Sequence, residues 1–313
     1  MRIQNAIVKI LNTYNDNKLL KILSDKEKTK LKKCMLAIYM DIFAACKKHN
    51  IICFLVGGSA LGAIRHKGFI PWDDDIDIAV FRKDYNQLPL LLEKEFPGKY
   101  TCTGPNISAH NKNRLMQIEL NGTTVRNIFD SPRVPKGCLV DVFPIENIPT
   151  SKLKQKIHGT IVMAIWNIAT AVKLFQDKNP LLDRIFSYNR HDNFIYRCEK
   201  WVGFLFSFLS YSSWYALGDK IVAKYQNTDT AFFGIPSGRK HYAGEIYRKE
   251  DIIQPLSLLF EDKECFVFGN YDSYLKKLYG NYMEIPPIEK REQHFYTELS
   301  IPDKIFNETG CTE

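Results

Sequence analysis

FIPWDDDIDIAV, residues 69–80, sets four aspartates within five positions and runs directly into apolar residues. An extended chain alternates its side chains between two faces, so Asp75 and Asp77 project together while Ile76, Ile78 and Val80 point the other way. Two carboxylates rooted about 7 Å apart on one face can converge on one or two divalent cations. Oxygen donors without a neighbouring Cys or His cluster favour Mg²⁺ or Mn²⁺ over zinc. The same alternation also occurs at the solvated end of an edge strand; the apolar residues interleaved here and following point to a buried one. Asp73 shares the parity of Asp75 and is a further candidate ligand, whereas Asp74 points away. Either also fits a residue that caps the loop.

The stretch before it narrows the reading. IICFLVG (51–57) is a short apolar run closed by glycine and predicts a buried strand. GSALGAIRHKG (58–68) predicts a short helix with glycine at both ends. Gly57-Gly58-Ser59 joins the two, and such a turn lets backbone N–H groups and a hydroxyl approach a phosphate at a helix N-terminus. By itself a Gly-Gly pair is as readily a plain tight turn. Strand, GGS turn, helix and then a strand with alternating aspartates resemble the nucleotidyltransferase fold, which expects a third carboxylate on a later strand. Asp141 in CLVDVFP (138–144) meets that requirement. A lone acid in an apolar strand is costly, so Asp141 needs a cation, a metal or a hydrogen-bond network.

The rest of the chain supplies the frame. Its 313 residues are 45% hydrophobic and 13% aromatic, enough for a sizeable core in one large or two smaller domains. That composition excludes a disordered or low-complexity chain. The eight cysteines form no C-x-x-C pair, which suits reduced thiols in a cytoplasmic protein rather than a disulfide framework or a zinc site. No continuous apolar leader segment opens the sequence. Net charge is +8, and residues 1–50 hold eleven Lys/Arg against four Asp/Glu. Ile3, Ile7, Ile10, Leu11 and Tyr14 recur at helical spacing beside those charges. A basic amphipathic start of this kind fits peripheral contact with an anionic membrane, or simply a solvated helix. No aromatic-basic recognition motif accompanies it, so nucleic acid is not expected as a partner.

Residues 26–50 predict an amphipathic helix with Leu31, Met35, Ile38, Ile42 and Cys46 on one stripe. A further helix is expected over 83–96, and strands over 114–129 and 137–146. The fold class is therefore α/β (α+β), with a mixed-sheet core. Residues 1–150 form the catalytic core with basic N-terminal helices. Residues 151–225 form a helical insertion, broken near Asn179-Pro180, whose uncharged runs 159–172 and 201–218 are buried helices or membrane-facing. Residues 226–313 are loop-rich, pack back on the core and complete the site.

VGGSALGAIRHKGFIPWDDDIDIAV (56–80) resembles the signature of the LicD family of phosphotransferases, which share their core with the fukutin-related proteins. The resemblance continues in LVDVFPIE (139–146) and YLKKLYGNYMEIPPIEKREQH (274–294), and weakens through 150–225, where acceptors would differ. It implies a transferase moving phosphocholine from CDP-choline to a glycan or lipid-linked glycan precursor, as in lipopolysaccharide, teichoic acid or capsule modification. CMP is the product, and the enzyme works in the cytoplasm at the inner membrane face. On that footing Asp75, Asp77 and Asp141 hold the metal, and Asp141 takes the proton of the acceptor hydroxyl. Gly57, Gly58 and Ser59 hold a phosphate, and Arg65, His66 and Lys67 supply cations, although Lys67 equally suits the dipole of its own helix end. Lys290, Arg291 and His294 form a second basic cluster, in which Arg291 and His294 would reach donor phosphates, or they belong to a surface tail. A quaternary ammonium asks for aromatic faces; Trp72, Tyr279 and Tyr282 are candidates, with Glu245 or Glu261 as acidic partners. Two alternatives remain: another donor, CDP-polyol or a nucleoside triphosphate, on the same fold, and a non-catalytic module for anionic glycans or membrane.

Overall fold

The computed structural model describes residues 20–108, 111, 113–130, 136–288, 291 and 294–309. The basic amphipathic start and Lys290 lie outside the described residues.

Helix α1 (Asp25–Lys48) begins at a capping box in which the Ser24 hydroxyl accepts from the Glu27 amide and the Glu27 carboxylate accepts from the Ser24 amide. Leu31, Met35, Ile38, Ile42 and Cys46 are all buried, so the expected stripe is the face turned to the core. Strand β1 (Phe54–Leu55) is shorter than its apolar run suggests, because Ile51 and Cys53 are buried outside the ladder. Helix α2 (Gly57–Arg65) follows it, then β2 (Asp77–Phe81). The helix expected over 83–96 splits into a single turn at Arg82–Tyr85 and α3 (Leu88–Glu95), since Pro89 can only sit in a first turn.

Strands β3 (Tyr100–Thr103), β4 (Met116–Leu120), β5 (Thr124–Asn127) and β6 (Leu139–Ile148) complete the first part. The main sheet runs β3-β4-β6-β2-β1 and continues into two strands from the C-terminal segment, β10 (Lys263–Phe268) and β9 (Pro255–Phe260). Here β2 is parallel to β6, β1 is antiparallel to β2 and β4 is antiparallel to β6.

The insertion is helical. Helix α4 (Lys152–Asp177) starts at a Ser151 cap; Asn179 then caps α5 (Pro180–Ser187), with Pro180 in its first turn. Helices α6 (Arg190–Leu205) and α7 (Tyr211–Val222) pack on α4. In length and composition α4 is apolar enough to cross a bilayer. Its Val162, Trp166, Ala169 and Val172 are buried with Trp214, Tyr215 and Tyr242 in a second core.

The segment from 226 onward is richer in strand than its glycine and proline content suggests. β7 (Phe232–Gly234) pairs with the far half of β6 and with β8 (Ile246–Arg248). β9 (Pro255–Phe260) and β10 (Lys263–Phe268) form a hairpin whose β10 lies parallel to β1. Helix α8 (Tyr271–Tyr279) follows, and β11 (Tyr296–Ser300) pairs with β5. Between the first core and the insertion, the Arg82 guanidinium bonds both Glu146 of β6 and Asp219 of α7. All three residues are buried.

Candidate active site

The parallel pairing of β2 with β6 sets Asp77 directly opposite Asp141, so the two carboxylates leave one face side by side. Across Asp141 on its other side stands Gln117 of β4, whose Nε2 donates to Asp141 Oδ1 at 2.7 Å. Asp75 lies in the extended approach to β2. Asp73 sits in the turn before it, its amide donating to Ile70 O at 2.9 Å.

The glycines of the GGS turn close over these acids. A Cβ at Gly58 would lie 2.6 Å from Asp73 Oδ2, and one at Gly57 would lie 3.1 Å from Asp77 Oδ2. Gly57 also has φ +56, a conformation that side chains rarely adopt. Two aspartates on one side and a helix start on the other are thus in near contact through backbone alone.

Burial, followed by the charge of Asp75, pushes the Asp73 carboxyl up to about 8. The same two causes raise Asp77 well above the ordinary carboxylate range. Burial also lifts Asp141, to about 6, against the opposing bond from Gln117. Protein groups therefore leave this acid set short of positive charge, and its donors are all oxygen, which suits a hard divalent cation. One cation is built in. Burial works against charging His294, but its bond to Asp74 and the nearby acids hold it protonated, up to about 10. Its Nδ1 meets Asp74 Oδ1 at 2.5 Å and its Nε2 lies 3.7 Å from Asp75 Oδ2. Asp74, expected to point away, is tied through His294 to the C-terminal segment while staying near Asp73. Among the described residues Asp73, Asp74 and His294 bring one ligand atom each within 4.8 Å of one another, a group that differs from the expected set of Asp75, Asp77 and Asp141.

A cleft of about 670 Å³ opens in front of Asp73, Asp75 and Asp77. Asp141 stands beside Asp77 on the next strand. Gly57, Gly58, Arg65, Trp72, Tyr279, Tyr282, Arg291 and His294 also line the cleft. Other expected residues lie elsewhere. Ser59 is buried and is not on the cleft wall; its Oγ accepts from the Asp77 amide at 2.9 Å and so fixes the strand carrying the carboxylate. The Gly57 amide donates to the Tyr274 hydroxyl at 2.8 Å. His66 sits edge-on to Trp72 behind the wall. Lys67 is exposed at φ +60, its carbonyl accepting from the Glu261 amide, and Glu261 accepts in turn from Phe69 N.

The three aromatic candidates already have company. Arg291 lies over the Trp72 ring at 4.1 Å, with Arg65 at 5.8 Å from the same ring. Arg239 lies over Tyr279 at 5.1 Å, and the Tyr282 hydroxyl donates to Asp272 at 3.0 Å. Arg65 also donates to the carbonyls of Tyr282 and Glu284, tying α2 to the C-terminal segment.

Sequence reasoning missed several members of the cleft. Gln117, missed as the partner of Asp141, stands on β4 (MQIEL) beside another polar residue, Glu119, and so carries a weaker signal than Asp141. Arg114, Ser237 and Arg239 carry no local signal and reach the cleft only through the fold. Glu245, expected from the sequence as an acidic partner, does line it, 1% exposed, its Oε1 accepting from the Lys240 amide at 2.7 Å.

Comparison with known proteins agrees with this geometry. Residues 50–154 match the family described as LicD/FKTN/FKRP, nucleotidyltransferase domain. The matched block runs from the approach to β1 into the start of α4 and carries the aspartates and the GGS turn. The chain is 26% identical over 273 residues to the lipopolysaccharide cholinephosphotransferase LicD of Haemophilus influenzae, covering 84% of this chain and 94% of that one. An uncharacterized protein of Rickettsia prowazekii is 37% identical over 76 residues, 22% of this chain and 29% of its own. One of Rickettsia typhi is 43% identical over 44 residues, 14% of each. With the strand–GGS–helix turn set against the aspartates of β2 and β6, residues 50–154 match a LicD-type nucleotidyltransferase domain, and the chain is similar to a LicD protein over most of its length.

Proposed function

We propose that this transferase moves phosphocholine from CDP-choline to a hydroxyl of a cell-surface glycan of the lipopolysaccharide kind, releasing CMP. The observation that carries the reading is the pairing of Asp77 with Asp141, Asp73 and Asp75 close by, under the glycine turn of α2. The near full-length likeness to a cholinephosphotransferase supports the head group and the class of acceptor.

In this reading the acceptor oxygen attacks the choline-bearing phosphorus, and the bond from that phosphorus to the bridging oxygen breaks, with CMP as leaving group. Such transfer rests on in-line placement and neutralisation of phosphate charge. Mg²⁺ or Mn²⁺ held by Asp73, Asp75, Asp77 and Asp141 would supply that neutralisation when bound. Asp141, steadied by Gln117, takes the acceptor's proton. Ser59 holds the Asp77 backbone in register, and Arg291 and Arg65 offer cations to the donor phosphates.

The purified protein should release CMP from CDP-choline when Mg²⁺ and a glycan acceptor are present. Asp77→Asn should lower the rate by at least about 100-fold while melting at the same temperature or above, because it removes a buried carboxylate lacking a cation. Wild-type turnover in that variant would overturn the assignment.

A second reading, another CDP-linked donor such as a CDP-polyol, is favoured by one observation. Guanidinium groups lie against Trp72 and Tyr279, where a quaternary ammonium would meet like charge. Polyol hydroxyls would find donors there instead. Comparing thermal stabilisation by CDP-choline, CDP-ribitol, CTP and ATP separates the donors, since only a bound one raises the melting temperature.

A further inference from the structure

Helix α6 wears its apolar stripe on the outside. Phe194, Cys198, Trp201 and Leu205 follow at the i, i+4, i+7, i+11 spacing that places residues on one helix face. Phe194 is 68% exposed, Trp201 66% and Leu205 54%. The residues that α6 buries are Tyr196 and Gly203, on the opposite side. Tyr196 stacks on Phe186 of α5 at 4.5 Å. Gly203 meets α4 so closely that a Cβ there would lie 2.1 Å from Ala171 O. The helix is therefore locked through its inner side and cannot roll its apolar stripe inward. Past its end, Phe208 is 71% exposed and Leu209 40%.

Single exposed apolar residues are ordinary on a protein surface, but a continuous aromatic stripe marks a contact. The charge around it selects the partner. Arg190 and Arg197 fall on one flank of the stripe in the helical wheel. Residues 151–225 as a whole carry eleven Lys/Arg against five Asp/Glu. A second copy meeting this face about a two-fold axis would confront those arginines with their own kind. An anionic bilayer presents the opposite charge and, beneath it, an apolar layer. Trp and Phe suit that boundary, as do cations on the headgroup side.

We infer that α6 and the turn after it form a docking surface for an anionic lipid bilayer. The helix lies in the plane of the interface, with Phe194, Trp201, Leu205 and Phe208 entering the headgroup–acyl boundary and Arg190 and Arg197 pairing with lipid phosphates. This attachment needs neither donor nor metal and stands apart from the proposed reaction.

The full chain would be mixed with vesicles of phosphatidylcholine, alone or with phosphatidylglycerol, and followed by co-sedimentation and tryptophan emission. Two of the four tryptophans, Trp166 and Trp214, are buried, and Trp72 lies under Arg291, so a blue shift reports on Trp201. The expected result is binding at least about tenfold tighter to the phosphatidylglycerol vesicles, weakened by salt. Trp201→Phe should bind nearly as well but lose the blue shift. The triple variant Phe194→Ser, Leu205→Ser, Phe208→Ser should lose at least about tenfold in affinity at an unchanged melting temperature, since none of the three side chains is buried. No sedimentation of the intact chain would overturn the inference. So would retained binding by the triple variant, which assigns attachment to the basic residues 1–19. A wild-type dimer in light scattering that the triple variant lacks would assign the face to a second copy instead.

Discussion

Replacing Glu245 by glutamine tests whether the wall opposite the aspartates is as dry as its burial indicates. Glu245 is 1% exposed, and burial pushes its carboxyl from 4.5 up to about 7, against the Lys240 amide and the charges of Arg114, Lys277 and Arg239. The folded value lies above the unfolded one. Between pH 4.5 and about 7 the unfolded chain has therefore lost a proton that the folded chain keeps, and stability falls as pH rises through that window. Below it both states are neutral, above it both are ionised, and the contribution is flat. At about 1.36 kcal/mol for each pH unit, ionising Glu245 costs the fold about 3 kcal/mol. Glutamine stays neutral throughout, and its carbonyl can still accept from Lys240 N, now bonded at 2.7 Å. Glu245→Gln should therefore match the parent near pH 4.5 and exceed it by about 3 kcal/mol near pH 8, about 5 °C in Tm for a chain of this size. Urea unfolding of both proteins at three pH values, followed by circular dichroism, gives the difference directly, and the titration of every other group cancels. A difference that stays constant with pH, or grows toward acid, would refute the reasoning.

Two further substitutions probe the connections that hold the site. Arg82→Met leaves Glu146 and Asp219 buried without their shared guanidinium and should destabilise by about 3–5 kcal/mol in denaturant unfolding; adding Glu146→Gln and Asp219→Asn should recover much of that loss, and no recovery would mean that packing rather than charge was lost. Ser59→Ala deprives the buried Asp77 amide of its acceptor and should cost about 1–3 kcal/mol, together with a lower kcat, because the carboxylate-bearing strand loses its anchor; full stability and full turnover would show that the anchor is dispensable.

What could be read from the sequence is what depends on near neighbours. The alternation that buries Ile76 and Ile78 is written in the few residues entering β2, and the stripe of α1 is written at helical spacing. Asn179 and Pro180 mark the break after α4 by their own backbone chemistry. What could not be read depends on register and return. That Asp77 faces Asp141 follows from how β2 slides along β6, and a displacement of one residue would have separated them. His294 reaches Asp74 only because β11 pairs with β5 and brings the chain back. Ser59 reads as a phosphate ligand from its place after two glycines, yet a half turn of helix is enough to point it at the Asp77 amide. Trp72 likewise shows its aromaticity in the sequence but not its neighbours, which are Arg65 of the preceding helix and Arg291 of the C-terminal segment. The strands at Phe232–Gly234 and Ile246–Arg248 are three residues each, too short for a period to show.

Strand β1 has a consequence for how the protein is made. Its two residues are fully buried between β2, their neighbour in the chain, and β10, where Phe54 pairs with Phe266. A nascent chain that has already displayed the aspartates must wait for β10 before β1 has both partners. It waits longer for Tyr274 to take the Gly57 amide and for His294 to settle between Asp74 and Asp75. Contacts spanning so much sequence form late and slowly. The matched block of residues 50–154 is therefore not a unit of folding. Cut out at its family boundaries, it would present Phe54 and Leu55 as an open sheet edge, an invitation to aggregate. A half-synthesised chain has no finished cleft; the cleft is complete only after the last strands have arrived.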